Sequence, residues 1–339
     1  MRIAGLLLLT LCAALLVRAE LTPAEQRLTD AVTPQTLRGH VSFLASDLLE
    51  GRDTPSRGLD IAAEYIAAEF RRIGLEPAGD NGYFQMALFK TAPVKNVAAI
   101  LRGSDAKAKE DFVLVSCHYD HVGVQGTGAG DHIYNGANDD ASGTASMLAV
   151  AEALAVLPQR PKRSVLFIAY FGEEKGLVGS RFYVKHPLVP LVKTLVEVNL
   201  EHMGRTDETE GPSIKRLSVT GFSFSDLTDW LTAAGKDTGV TIFNNKKNSD
   251  PFYGRSDNFS LAEAGVPAHT LAAAYIFPDY HQPGDEWQKL DYDNMAAVTR
   301  TVAVTVNRLL NSSKRIRWNE NSPKTEKFVE AAEALAGAH

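Results

Sequence analysis

Cysteine is scarce in this sequence, which contains only Cys12 and Cys117 among its 339 residues. Cys12 lies in the stretch MRIAGLLLLTLCAALLVRA, residues 1–19, whose basic start, apolar run and final small residue predict a secretory signal peptide. Removal of this segment leaves Cys117 alone, so the mature chain can form no internal disulfide. The packed core, together with any bound metal, must supply the stability.

Long apolar runs are also lacking. The apolar stretch from Ile3 to Val17 is shorter than the ~20 residues that a bilayer-spanning helix needs. A single membrane span is the rival interpretation of this stretch, and its length disfavours that rival. We therefore expect a secreted or periplasmic protein without stable membrane insertion.

Positive charge is in short supply as well. The formal net charge is -6, and the one short basic run is KRIR at 314–317. A chain without a basic field offers little attraction to phosphate backbones, so nucleic-acid binding is not expected. With 45% hydrophobic and 22% charged residues, the composition is that of a soluble globular protein of enzyme size.

Short apolar runs dominate the middle of the chain. Runs without polar alternation predict strands that are covered on both faces, and we place them at 96–101, 112–117, 164–171, 194–200 and, more weakly, 267–273. Between them, residues 142–158 carry apolar side chains at helical spacing. Strands alternating with helices predict an α/β fold, a three-layer α/β/α sandwich around a mixed, mostly parallel sheet. Residues 312–339 form a tail with a short helix, which we expect to be an appendage.

Polar side chains follow these strands at the points where the strands end. The acidic pair at 173–174 taken alone would commonly mark a surface turn. However, the carboxyl ends of strands in an α/β sheet share one edge, where ligand sites form. The candidates expected at that edge are His118, Asp120, Asp139, Glu173, Glu174, Glu201 and His281.

Two imidazoles and several carboxylates without a thiolate suit zinc, with cobalt or manganese as alternatives. The number of candidate ligands, two imidazoles and three carboxylates, favours two ions over one. If His118 and Glu201 hold one ion, Glu174 and His281 hold the other, and Asp139 bridges them, each ion has three protein ligands and one open position. Two divalent ions, three carboxylates and a bridging hydroxide then sum to zero charge, which avoids burying an unpaired charge.

Five stretches, SCHYDHVG, YNGANDDASG, FGEEKGLVGS, VNLEHMGR and PDYHQPGDEW, resemble in order the motifs of the secreted two-zinc aminopeptidases, metallopeptidase family twenty-eight. The similarity spans roughly residues 37–310. It implies a zinc exopeptidase fold and a zinc-dependent aminopeptidase that removes the N-terminal residue of peptides with a free N-terminus. The implied ligands of two zinc ions are His118, Asp139, Glu174, Glu201 and His281.

The same resemblance implies roles for three neighbours of the ligands. Glu173 would be the general base that takes a proton from a bridging water, and Asp120 would orient His118. Tyr253, in FYGRSD, would polarise the substrate carbonyl. The sequence departs from the family pattern at Glu201, where the best-known members have aspartate. It also lacks the domain that many relatives insert before the first histidine, so we expect one catalytic domain, residues 20–311.

Alternatives to a two-zinc aminopeptidase remain. One is a one-zinc enzyme on the same scaffold, either a glutaminyl cyclase or a carboxypeptidase, and another is a catalytically inactive relative that serves as a binding module. The sequence leaves the oligomeric state unknown. Six histidines have no place in the ligand count and are expected to be packed or surface residues: His40, His121, His132, His186, His202 and His269.

Overall fold

The computed structural model describes residues 21–206, 211 and 213–337. The predicted signal peptide lies outside these residues. Within them, no helix combines the length and the apolar character that crossing a bilayer requires.

One twisted sheet forms the centre of the molecule. In the described residues it contains nine strands in the order β1-β3-β7-β4-β8-β11-β9-β10, with β2 paired to β3, and β5 and β6 form a separate small ribbon. The strands are β1 Glu76–Pro77, β2 Phe84–Phe89, β3 Ala92–Leu101, β4 Phe112–His118, β5 Gly123–Val124, β6 Ile133–Tyr134, β7 Ser164–Tyr170, β8 Thr194–Leu200, β9 Arg216–Val219, β10 Thr241–Phe243 and β11 Ala268–Ala272.

All five strands expected from the apolar runs are confirmed, as β3, β4, β7, β8 and β11. Every residue of β4, β7 and β8 is buried, which explains why these strands lack polar alternation. The four strands β7, β4, β8 and β11 are parallel to their neighbours in this order. Antiparallel pairing enters where β3 meets β7 and where β9 meets β11. The predicted mixed α/β sheet is therefore confirmed, and its parallel part is central.

Helices cover both faces of the sheet and complete three layers. Apolar residues of α1, α2, α3, α4, α6 and α8 pack in one core cluster, and those of α5, α7 and α9 pack in a second cluster on the opposite face. The helices are α1 Pro23–Ala31, α2 Pro34–Leu44, α3 Arg57–Ile73, α4 Ser142–Ala155, α5 Val178–Lys185, α6 Leu227–Thr238, α7 Asn258–Glu263, α8 Tyr292–Asn311 and α9 Glu326–Gly337.

The C-terminal tail is part of this second layer. Phe328 on α9 is 2% exposed and stacks on Trp318, with 5.0 Å between the ring centroids. Its ring also lies 5.5 Å from that of Tyr253. The expectation that the tail is an appendage is therefore wrong, because its aromatic side chains close one face of the core.

We predict that Phe328→Ala lowers the free energy of unfolding by about 3–5 kcal/mol, because it removes a buried aromatic ring and leaves a cavity. Urea denaturation measures the change. Glu330→Ala, on the exposed side of the same helix, is the matched control and should change stability by less than about 0.5 kcal/mol. A loosely attached tail would give equal, small effects for both variants.

Candidate metal centre

The parallel strands deliver the candidate residues to one edge of the sheet. His118 is the last residue of β4, the pair at 173–174 follows β7, and Glu201 follows β8. Asp139 lies in the turn before α4, and His281 lies in the loop after β11. The structure brings all five expected ligand residues into two groups that share Asp139 and could each hold a metal ion.

Asp139 lies between the two groups, and its two carboxylate oxygens face different partners. Oδ1 lies 3.2 Å from His118 Nε2, whereas Oδ2 lies 3.0 Å from His281 Nε2. His281 Nε2 is also 3.2 Å from Glu174 Oε1, and His118 Nε2 is 3.9 Å from Glu201 Oε1. Zinc bonds of about 2.0–2.1 Å would hold tetrahedral ligand atoms about 3.3 Å apart, so these separations suit an ion in each group.

Two histidines that the sequence analysis set aside lie close to the expected ligands. His121 joins the group of Asp139, Glu174 and His281, with its Nδ1 2.9 Å from Glu174 Oε1. His202 Nε2 lies 3.4 Å from Asp139 Oδ1. The expectation that His121 is an ordinary packed or surface residue is therefore wrong, because it joins a donor group, whereas His202 is a buried residue beside the other group. The available signal was their spacing, because each lies within three residues of an expected ligand.

Several buried polar atoms in the centre have no hydrogen-bond partner among the described residues. They include His118 Nε2, both ring nitrogens of His121, His202 Nε2 and Glu174 Oε1. His121 Nδ1 and Glu174 Oε1 are close, but they are not aligned as a hydrogen bond. Buried polar atoms are normally paired, and nitrogen and oxygen donors that converge without partners fit a cation such as zinc.

The electrostatics of the metal-free centre point the same way. Burial opposes the charge on His281, but the carboxylates of Asp139 and Glu174 outweigh it and raise its pKa to about 10. Burial and the nearby Asp139 oppose ionisation of Glu174, yet the imidazoles of His121 and His281 bring its pKa down to about 2. Without metal, a proton on His281 therefore compensates part of the charge of these carboxylates.

Asp120 positions the candidate base as well as the first histidine. Its carboxylate Oδ1 accepts a hydrogen bond from the backbone N–H of Glu173 at 3.1 Å, and Oδ2 accepts one from the Thr54 hydroxyl at 3.2 Å. His118 Nδ1 lies 3.2 Å from the Asp120 backbone carbonyl and 3.6 Å from its carboxylate. The close contact to His118 is therefore made by the carbonyl.

Glu173 lies on the open side of the centre. It lines a narrow pocket with Asp139 and Glu201, walled by the aromatic rings of Phe252 and Tyr280 among others. Burial, reinforced by the charges of neighbouring carboxylates, raises the pKa of Glu173 well above its ordinary value in the metal-free protein. A carboxylate with a raised pKa beside a pocket suits proton transfer.

Arg52 is a part of the site that the sequence analysis missed. It is 1% exposed, and its guanidinium donates hydrogen bonds to the carbonyls of Tyr119 at 2.8 Å, Asn135 at 2.7 Å and Gly136 at 2.9 Å, and to Leu44. It thus ties the segment after β4 to the turn that carries Asp139. A single arginine in LLEGRDT gives no pattern that could have identified this role.

The structure does not bring Tyr253 into the pocket. The residue is 4% exposed, its ring packs in the second core cluster, and its hydroxyl donates to the carbonyl of Ala268 at 3.0 Å. Its neighbours Phe252 and Ser256 line the pocket instead. The expected contact between Tyr253 and a substrate carbonyl is therefore not supported, because its hydroxyl is already engaged in the core.

Beneath the centre, Glu197 on β8 is completely buried. The hydroxyls of Ser116 and Tyr170 donate to its Oε1 at 2.8 and 3.1 Å, whereas Oε2 has no hydrogen-bond partner among the described residues. Burial raises the pKa of Glu197 to about 8, so the side chain is a neutral acid in the folded protein at neutral pH.

This raised pKa predicts a dependence of stability on pH. Between about pH 5 and 8 the folded state keeps a proton on Glu197 that the unfolded state has lost, so stability falls as pH rises, by up to ~1.4 kcal/mol per unit. Glu197→Gln carries no titrating group and should remove this slope. Urea denaturation of both proteins at pH 5, 6.5 and 8 measures the difference. Parallel pH profiles would contradict the prediction.

The fold and the donor set define an α/β sandwich with a candidate zinc centre at the carboxyl edge of its sheet. A model of peptidase family M28 matches residues 96–306, which is more than half of the chain. The protein therefore belongs to peptidase family M28.

Curated proteins are similar in sequence to parts of this chain. A probable zinc metalloprotease of Pyricularia oryzae is 35% identical over 150 residues, which are 42% of this chain and 29% of that protein. Aminopeptidase YwaD of Bacillus subtilis is 26% identical over 258 residues, which are 74% of this chain and 50% of that protein. The chain thus spans half or less of the length of these two relatives.

Solved structures share the fold at low identity. An aminopeptidase from Aneurinibacillus sp. strain AM-1 superposes with a TM-score of 0.67 at 16% identity, covering 88% of this chain and 97% of that one. The glutaminyl cyclase of Porphyromonas gingivalis gives 0.63 at 17% identity, covering 82% and 99%. The same fold therefore occurs in an aminopeptidase and in a glutaminyl cyclase. The fold alone does not distinguish between these activities, so the function of this chain must be argued from the chemistry of its site.

Proposed function

We propose that the protein is a zinc-dependent aminopeptidase with a dinuclear centre, which hydrolyses the first peptide bond of substrates with a free N-terminus. One observation carries the proposal: the two oxygens of the buried Asp139 face two separate groups of nitrogen and oxygen donors. Family membership and the aminopeptidase among the relatives support the reaction class.

In this proposal His118 and Glu201 hold one zinc ion, Glu174 and His281 hold the second, and Asp139 bridges them. His121 lies within reach of the second ion. When bound, the ions would supply Lewis acidity towards the substrate carbonyl and lower the pKa of the attacking water. Glutamate remains a competent ligand at position 201, where aspartate was the expected family residue.

Glu173 is the proposed general base. Its backbone N–H is fixed by Asp120, and its side chain lines the pocket. It takes the proton from the water that attacks the peptide carbonyl and passes that proton to the departing amine as the C–N bond breaks. The pocket walls, including Phe252 and Tyr280, contact the substrate in this arrangement.

A one-zinc enzyme such as a glutaminyl cyclase is the second candidate, because a protein of that name shares the fold. A single ion would leave one of the two donor groups of this chain without a cation. We also propose that residues 1–19 are a signal peptide of a protein that acts outside the cytoplasm. The catalytic domain would then extend from residue 20 through α9, which packs on its core.

The two adjacent glutamates should respond differently to the same substitution. Glu174→Gln removes a charge from the metal shell, so we expect loss of the ion shared with His281. Glu173→Gln keeps size and polarity but cannot accept the proton, so metal content should stay at the wild-type value while turnover falls by ~10²- to 10⁴-fold. Elemental analysis and turnover of an aminoacyl-nitroanilide measure both effects.

Glu263→Gln, on α7, is the control for loss of an acidic side chain and should change neither quantity. A Glu173→Gln protein depleted of metal would refute the assignment, and reversed effects would exchange the two roles. If neither substitution has an effect, the pair is only a surface turn.

The number of ions separates the two candidate enzymes. We expect about two zinc ions per chain, and we expect chelation to abolish activity and lower the melting temperature, because the ligands come from separated segments that the ions hold together. The assay compares peptide amides with free and with blocked N-termini alongside an N-terminal glutaminyl peptide. Full activity with one ion, or cyclisation of the glutaminyl peptide without hydrolysis, would favour the second candidate.

A further inference from the structure

Arg255 is the one arginine or lysine that lines the pocket beside Glu173 in the described part of the chain. Its side chain is exposed, so it lies at the mouth of this pocket. The carboxylates of Asp139, Glu173 and Glu201 line the same pocket. A guanidinium in such surroundings would be expected to pair with one of them.

The guanidinium of Arg255 nevertheless forms no ion pair with these carboxylates or with any other carboxylate of the described residues. It lies over the ring of Phe252 instead, with 4.3 Å between Cζ and the ring centroid. By contrast, Arg205 pairs with Asp279 at 3.0 Å. Stacking holds a guanidinium against a ring but leaves the N–H groups at its edge free, so Arg255 can still bind an anion through two hydrogen bonds.

The segment that carries Arg255 is anchored to the sheet. Ser256, the next residue, is 3% exposed, and its hydroxyl accepts from Asn199 Nδ2 at 2.8 Å. Asn199 lies on β8, the strand that leads into the metal centre. The ring of Phe252 packs against that of Tyr275, with 5.0 Å between the centroids. The guanidinium is therefore presented to the pocket from a fixed backbone.

Other positive groups at the pocket already have anionic partners. His202, when protonated, lies 3.4 Å from Asp139 Oδ1 and 3.6 Å from Glu201 Oε1. The proposed ions are surrounded by the carboxylates that bind them. Arg255 is left as the cation whose anion the described residues do not supply, and a carboxylate of the substrate has the matching charge and geometry.

We propose that Arg255 binds a carboxylate of the substrate and thereby determines which peptides the site favours. This inference rests on the proposed aminopeptidase function. Two substrate groups have the required chemistry, the side chain of an N-terminal aspartate or glutamate and the free C-terminal carboxylate of a dipeptide. Both lie within one residue of the scissile bond, as a partner at the mouth of the same pocket requires.

Two matched pairs of substrates test the proposal and separate these sources. One pair is the nitroanilides of glutamate and glutamine, and the other is leucyl-glycine and its C-terminal amide. For at least one pair, Arg255→Gln should lower the ratio of kcat/KM between carboxylate and amide by about 5- to 10-fold, mainly through KM, because it removes a charged hydrogen-bond donor. An effect confined to the first pair identifies the side chain, and one confined to the second identifies the C-terminus.

Controls separate recognition from a structural role. Arg255→Lys keeps the charge but loses the two parallel donors, so its ratio should be intermediate. Arg27→Gln, at an exposed arginine of α1 outside the pocket, is the matched control and should leave both ratios unchanged. If Arg255 only supports Phe252, its replacement will lower kcat/KM equally for both members of each pair. That result, or unchanged ratios, would overturn the proposal.

Binding measurements separate this inference from the proposed function. In zinc-loaded Glu173→Gln protein, with and without Arg255→Gln, calorimetry measures the affinity for the same four compounds. Wild-type hydrolysis with carboxylate ratios that are indifferent to Arg255 would overturn the inference alone. An affinity for the carboxylates that depends on Arg255, in a protein that hydrolyses no free N-terminal residue, would overturn the proposed function alone. Absence of both hydrolysis and binding would overturn both.

Discussion

The carboxylate of Asp139 is the group on which the rest of the site depends. It is 2% exposed, and a buried charge of this kind costs several kcal/mol unless it is compensated. Compensation comes from imidazoles on both sides, His118 towards one oxygen and His281 towards the other. The backbone N–H of Asp139 is in turn held by Asp285 at 3.1 Å, which lies in the same loop as His281. The position of one carboxylate thus couples two separate parts of the chain.

Buried hydrogen bonds hold these loops where small secreted domains often use disulfides. Cys117 is buried in the core and cannot form an internal cross-link with any other described residue. Arg52 supplies the connection instead, because its guanidinium joins the carbonyls on either side of the site. Burial lowers the pKa of Arg52 to about 10, offset in part by Asp120, Asp140 and Asp139, so the cation is retained. Its charge also counters part of the acidity of the centre.

The central strands and most of the candidate ligands could be predicted from the sequence, and the parts that could not be predicted have physical reasons. Strands buried on both faces are continuous apolar runs, so β4, β7 and β8 were predictable, and the residues that follow them define the candidate ligands. The edge strands are short and partly exposed, so their sequences contain no long apolar run that would predict them. His121 was missed because a count that stops at three ligands per ion leaves no place for it. Tyr253 was assigned from a short match, and its burial depends on packing against the tail, which no local pattern reveals.

Protons and metal ions compete for the same places in this centre. Without metal, neighbouring carboxylates outweigh burial and raise the pKa of His281 to about 10 and that of His202 to about 9, so both imidazoles are charged at neutral pH. An imidazole must be deprotonated to bind zinc, so an ion held by His281 would have to displace its proton. With two zinc ions bound as proposed, the centre would be compensated by charge in both states, so the same buried carboxylates could persist before and after metal enters. In the proposed function, loading would accordingly be an exchange of cations within a preformed site, since the backbone N–H of Asp139 is held by Asp285 without any metal.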